Sequence, residues 1–136
     1  MADGHGPTAH VRDSLELLAG AVAAAGRTLL APVGPCGAGP AVRSLADALE
    51  ANQAMLDGEL FPAMCESVAG SDPVCIVAMQ RNLSAMHREL MGHLWGIDGQ
   101  AQGSPRQQEL LLSGCAQYLA YQLDEVVPMA ERLLDG

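Results

Sequence analysis

Apolar residues recur at spacings of three and four along four stretches of the chain, which places them on one face of a helix. The stretches cover about residues 8–30 or 10–30, then 41–68, 73–97 and 105–134, and segments rich in Gly, Pro and Ser separate them. The most regular stripe, in the third stretch, is Ile76, Met79, Leu83, Met86, Leu90, His93 and Ile97. The pattern predicts an all-α, up-down-up-down four-helix bundle over residues 10–136, after a flexible tail over residues 1–9.

The second and fourth stretches repeat each other. Glu59-Leu60-Phe61-Pro62 and Glu125-Val126-Val127-Pro128 lie 66 residues apart, each after a similar amphipathic run. The repeat predicts two helical hairpins whose matched segments face one interior. Pro62 is expected to kink the second helix or to loosen its last turns, because proline lacks an N–H and crowds the preceding turn.

Composition and charge exclude several classes of function. The 136 residues are 49% hydrophobic and 3% aromatic, which fits one domain with an aliphatic core. A net charge of −9 repels phosphate backbones and anionic lipid, and no apolar run reaches the roughly 20 residues of a membrane span. We expect no binding to nucleic acid or membranes and, without a signal peptide, a cytoplasmic location. The absence of Lys beside abundant Ala, Gly and Arg indicates a bacterial source.

The two repeat segments, 52–62 and 118–128, resemble the second and fourth helices of hemerythrin-like (HHE cation-binding) domains, and the closing segment 126–134 is especially similar. The resemblance covers about residues 10–134 and is based on helix layout and the hydrophobic-Pro tails. It implies a four-helix bundle around a di-iron centre, with His-x-x-x-Glu pairs as ligands at the two repeat positions.

Most ligand positions of that family hold other residues here. They hold Asn52 and Leu56 in the second helix, Tyr118 and Gln122 in the fourth, Leu15 in the first, and Asn82 or His87 in the third. The resemblance therefore implies a bundle that has lost its di-iron site, since such a centre needs about five or six donors. We predict no cofactor and a non-enzymatic function, in which the bundle binds a small apolar ligand or a protein partner.

Two interpretations of the interior polar residues stay open. They line a ligand pocket where the metals would lie, or they form a buried hydrogen-bond network that fixes the register of the helices. The residues assigned to the pocket are Leu15, Asn52, Leu56, Glu59, Asn82, His87, His93, Tyr118 and Gln122. The alternative function is iron-dependent handling of oxygen, nitric oxide or peroxide, with His87, His93 and Glu59 as the first candidate ligands and Asp57 and Glu125 as further ones.

The four cysteines suggest a thiol redox sensor as a further alternative. Cys65 and Cys75 flank one short turn, and the topology predicts that Cys36 and Cys115 share the opposite end of the bundle, so either pair could form a bridge. The competing interpretation is that Cys115 is a small core residue and the others are incidental. An exposed apolar side on the Ala-rich first helix would favour a homodimer.

Overall fold

A computed structural model describes residues 6–30, 39–98 and 105–135, which form four helices and no strand. The first helix is Pro7–Leu30 and the third is Val74–Asp98. The second runs without a break through Gly39–Met55, Leu56–Leu60 and Phe61–Ser67. The fourth runs through Pro105–Tyr121, Gln122–Val126, Val127–Ala130 and Glu131–Asp135. The prediction of an all-α, four-helix fold is confirmed.

The first helix begins earlier than the sequence pattern predicts. The backbone N–H of His10 donates to the carbonyl of Gly6 over 3.1 Å, which closes the first helical turn, and Thr8 is only 3% exposed. Proline suits the first position of a helix, where its missing N–H costs nothing. Residues 7–9 of the predicted tail therefore belong to the helix, and residues 1–5 lie outside the described part of the chain.

The connection between the second and third helices agrees with its prediction. The second helix ends at Ser67, and the N–H of Ser71 donates to the carbonyl of Val68 over 2.8 Å. Gly70 has a φ of +94°, a left-handed conformation that glycine adopts without the steric cost of a Cβ atom. The predicted loops at 31–40 and 98–104 lie almost entirely outside the described residues.

Two π-helical turns occupy equivalent places in the repeat. They are Leu56–Leu60 and Gln122–Val126, and each lies directly before a hydrophobic-Pro pair. The N–H of Phe61 donates to the carbonyl of Leu56, and that of Val127 donates to the carbonyl of Gln122, in both cases five residues back. Because proline crowds the carbonyl four residues before it, the wider turn accommodates Pro62 within a continuous helix. The structure thus accommodates Pro62 by a π turn directly before it.

The π turn moves the apolar face of the second helix by one residue. An uninterrupted α-helix would place Glu59 and Ala63 inside, in line with Leu56. The structure instead buries Leu60, Phe61 and Met64, and exposes Glu59. The physical reason is the extra residue in the π turn, which shifts the inward-facing positions after it by one residue along the sequence. The assignment of Glu59 to the interior is therefore wrong.

The four helices surround one core. The first helix packs most extensively on the second, and the third on the fourth. Gly114 permits a close approach of the third helix to the fourth, since a Cβ atom there would lie 2.7 Å from a methyl carbon of Leu90. The fully buried large side chains are Tyr118, Phe61, Leu18, Leu45, Leu49, Leu56, Leu60, Met64, Leu83, Leu94, Ile97 and Leu111. None of the helices in the described segments combines the length and apolarity needed to cross a membrane.

Candidate functional site

Two buried amides meet at the centre of the bundle. Asn52 and Gln122 are both 0% exposed, and the Gln122 Nε2 donates to the Asn52 Oδ1 over 2.7 Å. The Asn52 Nδ2 donates in turn to the Ser14 Oγ over 2.9 Å, and the Ser14 hydroxyl donates to the carbonyl of Val11 over 2.9 Å. This chain of hydrogen bonds connects the fourth, second and first helices.

A second chain of hydrogen bonds connects the fourth, second and third helices. The buried Tyr118 hydroxyl donates to the Gln53 Oε1 over 2.7 Å. The Gln53 Nε2 donates to the Asp57 Oδ2 over 3.1 Å, and the Gln80 Nε2 donates to the Asp57 Oδ1 over 3.2 Å. Burial raises the pKa of Tyr118 well above its usual value, so the phenol stays protonated and acts as a donor. We call the two chains together the polar core; its members are Ser14, Asn52, Gln53, Asp57, Gln80, Tyr118 and Gln122.

Three buried polar atoms have no hydrogen-bond partner within the described part of the chain. They are the Oγ1 of Thr8, the Oε1 of Gln122 and the Nδ1 of His87. The His87 ring lies beside Tyr118, with 6.3 Å between the ring centroids. Burial lowers the pKa of His87, and the negative charges of Glu50 and Asp57 only partly oppose that effect. The imidazole is therefore held towards its neutral form.

The structure gathers five of the nine predicted pocket residues in the bundle interior. Leu15, Asn52, Leu56, Tyr118 and Gln122 are all buried. Their side chains pack or hydrogen-bond inside the bundle, and none of them lines any of the four cavities described below. The observed hydrogen bonds match the network interpretation of these polar residues.

The other four predicted pocket residues lie at the periphery. Asn82 is exposed, because its neighbour Leu83 occupies the inward position. The Asn82 side chain donates to the Tyr121 hydroxyl over 3.3 Å. His87 is half-buried. Asn82 therefore lies outside the bundle interior, and His87 lies at the edge of the interior.

The remaining two lie beside polar side chains near the surface. The carboxylate of the exposed Glu59 lies within hydrogen-bond distance, 2.9 Å, of the Nδ1 of His10 on the first helix. His93 is half-buried, because its neighbour Leu94 occupies the core position. The His93 Nε2 lies 3.8 Å from the Glu89 carboxylate. The predicted inward position of His93 is therefore wrong.

Among the described residues, four cavities lie between or beside the helices, and one of them, between the first and second helices, is lined in part by Ser14 of the polar core. One of about 140 Å³, between the third and fourth helices, includes His93, Leu110 and Gly114. One of about 230 Å³ lies at the turn between the second and third helices. One of about 350 Å³ follows the groove between the first and second helices, and one of about 310 Å³ lies on the third helix around Val77.

The polar core does not fit a di-iron centre. Across residues 6–30, 39–98 and 105–135, no three His, Cys, Asp or Glu side chains come together as a metal-binding group. At the family's ligand positions, Asn52 and Gln122 are hydrogen-bonded to each other and the Tyr118 phenol is protonated. Amide oxygens are hard, neutral donors, whereas iron sites of this class use imidazole and carboxylate.

The described cysteines are free thiols with different environments. Cys75 is exposed, Cys65 is half-buried and Cys115 is buried. Burial raises the pKa of Cys115 to about 12, so its thiol is neutral and unreactive at ordinary pH. Cys115 thus lies in the core, in agreement with the second interpretation. The predicted pairing of Cys115 with Cys36 falls outside the described residues.

Three members of the polar core were not among the predicted site residues: Ser14, Gln53 and Gln80. A partial signal was present for Gln53, since residues four apart on a helix face each other and Asp57 follows at that spacing. Ser14 and Gln80 contact other helices, so only the three-dimensional packing identifies them.

No family model matches the chain, and no curated protein and no solved structure is significantly similar to it. The likeness to hemerythrin-like domains therefore stays a prediction from the sequence.

Proposed function

We propose that this protein is a non-enzymatic, hemerythrin-like bundle of up-down-up-down topology that binds a small apolar ligand or a protein partner in a sensor or accessory role. In this proposal the polar core has replaced the di-iron centre. The observation that carries it is the 2.7 Å hydrogen bond between Gln122 and Asn52 at zero exposure. Two positions that hold metal ligands in the family bond directly to each other here.

The chemistry of the polar core supports a structural role. Metal binding would break hydrogen bonds of buried amides, and each buried group left without a partner costs about 1–3 kcal/mol. Neither a carboxamide nor a phenol with a raised pKa exchanges protons readily at neutral pH. The interior therefore favours fixed helix packing over acid–base or redox catalysis.

Exposed apolar side chains support the binding role. Leu17 on the first helix is 73% exposed and borders the groove of about 350 Å³ between the first and second helices. Trp95 and Leu123 are also half or more exposed. Leu17 lies on the helix whose exposed apolar side would favour a homodimer, so a second copy of the chain is one partner included in the proposal.

The free thiols support the proposal that the protein resides in a reducing compartment. Cys65, Cys75 and Cys115 are all free, as is usual for cytoplasmic proteins. We propose a bacterial cytoplasm as its location.

Metal content tests the proposal. Protein purified from iron-supplied cells is expected to be colourless and to contain far less than one iron per chain, because Asn52, Tyr118 and Gln122 offer no set of anionic or imidazole ligands. Elemental analysis and the visible spectrum provide the measurement. One or two irons per chain with an oxo-bridge absorption would contradict the proposal. Loss of that iron in His87→Ala and His93→Ala variants would establish the metalloprotein alternative.

A further inference from the structure

A cavity with an apolar lining lies where the turn between the second and third helices meets the end of the fourth helix. It has a volume of about 230 Å³ and is lined mainly by the apolar residues Val68, Pro73, Ile76, Met129 and Leu133. A cavity of roughly 150 Å³ suffices to hold benzene. The end cavity therefore has room for one aromatic ring with a short substituent, or for an alkyl chain of medium length.

Polar groups border the same cavity. Arg132 lies beside Met129 and Leu133 on the fourth helix, and Asp72 lies in the turn. No carboxylate of the described segments forms an ion pair with Arg132, and the two lining charges, Arg132 and Asp72, are not within salt-bridge distance of each other. The exposed thiol of Cys75 also lines the cavity.

We propose that this end cavity binds a small aliphatic or aromatic carboxylate, with its hydrocarbon part among Val68, Ile76 and Leu133 and its carboxylate on the Arg132 guanidinium. The inference rests on the proposed binding function and gives the chemical class of its ligand. An apolar cavity with a few polar or charged groups that orient the ligand is the usual form of a small-molecule site. A guanidinium matches a carboxylate through two parallel hydrogen bonds, which an alcohol or an alkane cannot form.

Titration with octanoate, followed by ¹H–¹⁵N NMR, tests this inference. We expect saturable shifts of the backbone amides of Val68, Ile76 and Leu133. Arg132→Gln should weaken octanoate binding about two- to fivefold, the factor expected for one exposed ion pair, and should leave octanol binding unchanged. Arg88→Gln is the matched control, since Arg88 is exposed on the third helix and does not line the cavity. It should bind octanoate as the wild type does.

Two further variants separate the ligand classes. Asp72→Asn should leave octanoate binding unchanged or tighter, because it removes a negative charge from the edge of the cavity. Leu133→Trp should abolish binding of both octanoate and octanol by filling the cavity, with circular dichroism as the check that the variant folds. Octanoate should also slow the reaction of Cys75 with an aromatic disulfide reagent in a Cys36→Ser/Cys65→Ser background.

Three results would overturn the inference: no shifts at millimolar octanoate, equal octanoate affinity in the wild type and Arg132→Gln, or weaker octanoate binding in Asp72→Asn. The last result would show that the cavity does not select for negative charge. None of these depends on metal content, so failure of this inference is distinguishable from failure of the proposed function.

Discussion

Replacement of Asn52 by Leu is expected to lower the free energy of unfolding by about 2–4 kcal/mol. The change leaves the Gln122 Nε2 buried without its acceptor and removes the donor to the Ser14 Oγ. Gln122→Leu should cost about 1–3 kcal/mol, because the Asn52 Oδ1 then loses its donor. Urea unfolding followed by circular dichroism gives both values.

The double variant Asn52→Leu/Gln122→Leu decides whether the two amides act as a pair. It removes both partners at once, and Ser14 keeps its bond to the carbonyl of Val11. The loss should therefore be smaller than the sum of the single losses by about 1–3 kcal/mol. Asn82→Leu is the control, since Asn82 is exposed, and should change stability by less than about 0.5 kcal/mol. Strictly additive losses would contradict a bonded pair at the bundle centre.

The second large effect is expected at the π turn of the second helix. Phe61→Ala should lower the free energy of unfolding by about 3–5 kcal/mol and Leu60→Ala by about 2–5 kcal/mol, the usual cost of emptying buried positions. Glu59→Ala should cost less than about 1 kcal/mol, because Glu59 is exposed and forms only a surface pair with His10. Urea unfolding of the three variants provides the comparison. A loss for Glu59→Ala as large as that for Leu60→Ala would mean that the helix continues in α register.

The apolar period predicts most of the buried face of the first helix. Val11, Leu15, Leu18, Ala25 and Leu29 follow spacings of three and four and are buried. In the second helix the prediction fails after Leu56, because the π turn adds a residue that the α period does not contain. A sequence period cannot reveal such an insertion, although the hydrophobic-Pro pair marked where it occurs.

The site was predictable only in part. The resemblance to hemerythrin-like domains implied interior positions for Asn52, Tyr118 and Gln122, and the structure buries all three. Their hydrogen-bond partners depend on distances between helices, which a linear pattern does not contain. His93 was misplaced because adjacent helical residues differ by about 100° in direction, and Leu94 has the stronger preference for the core.

NMR of the side-chain amides in ¹⁵N-labelled protein tests most directly whether the bundle centre is a hydrogen-bonded polar core. The amide protons of Asn52 and Gln122, assigned from the Asn52→Leu and Gln122→Leu variants, should exchange slowly with solvent. Their shifts should stay unchanged when Zn²⁺ or Fe²⁺ is added in equimolar amounts. Rapid exchange, or a specific shift or broadening of these resonances with either metal, would contradict the account and place a metal or open cavity at the centre.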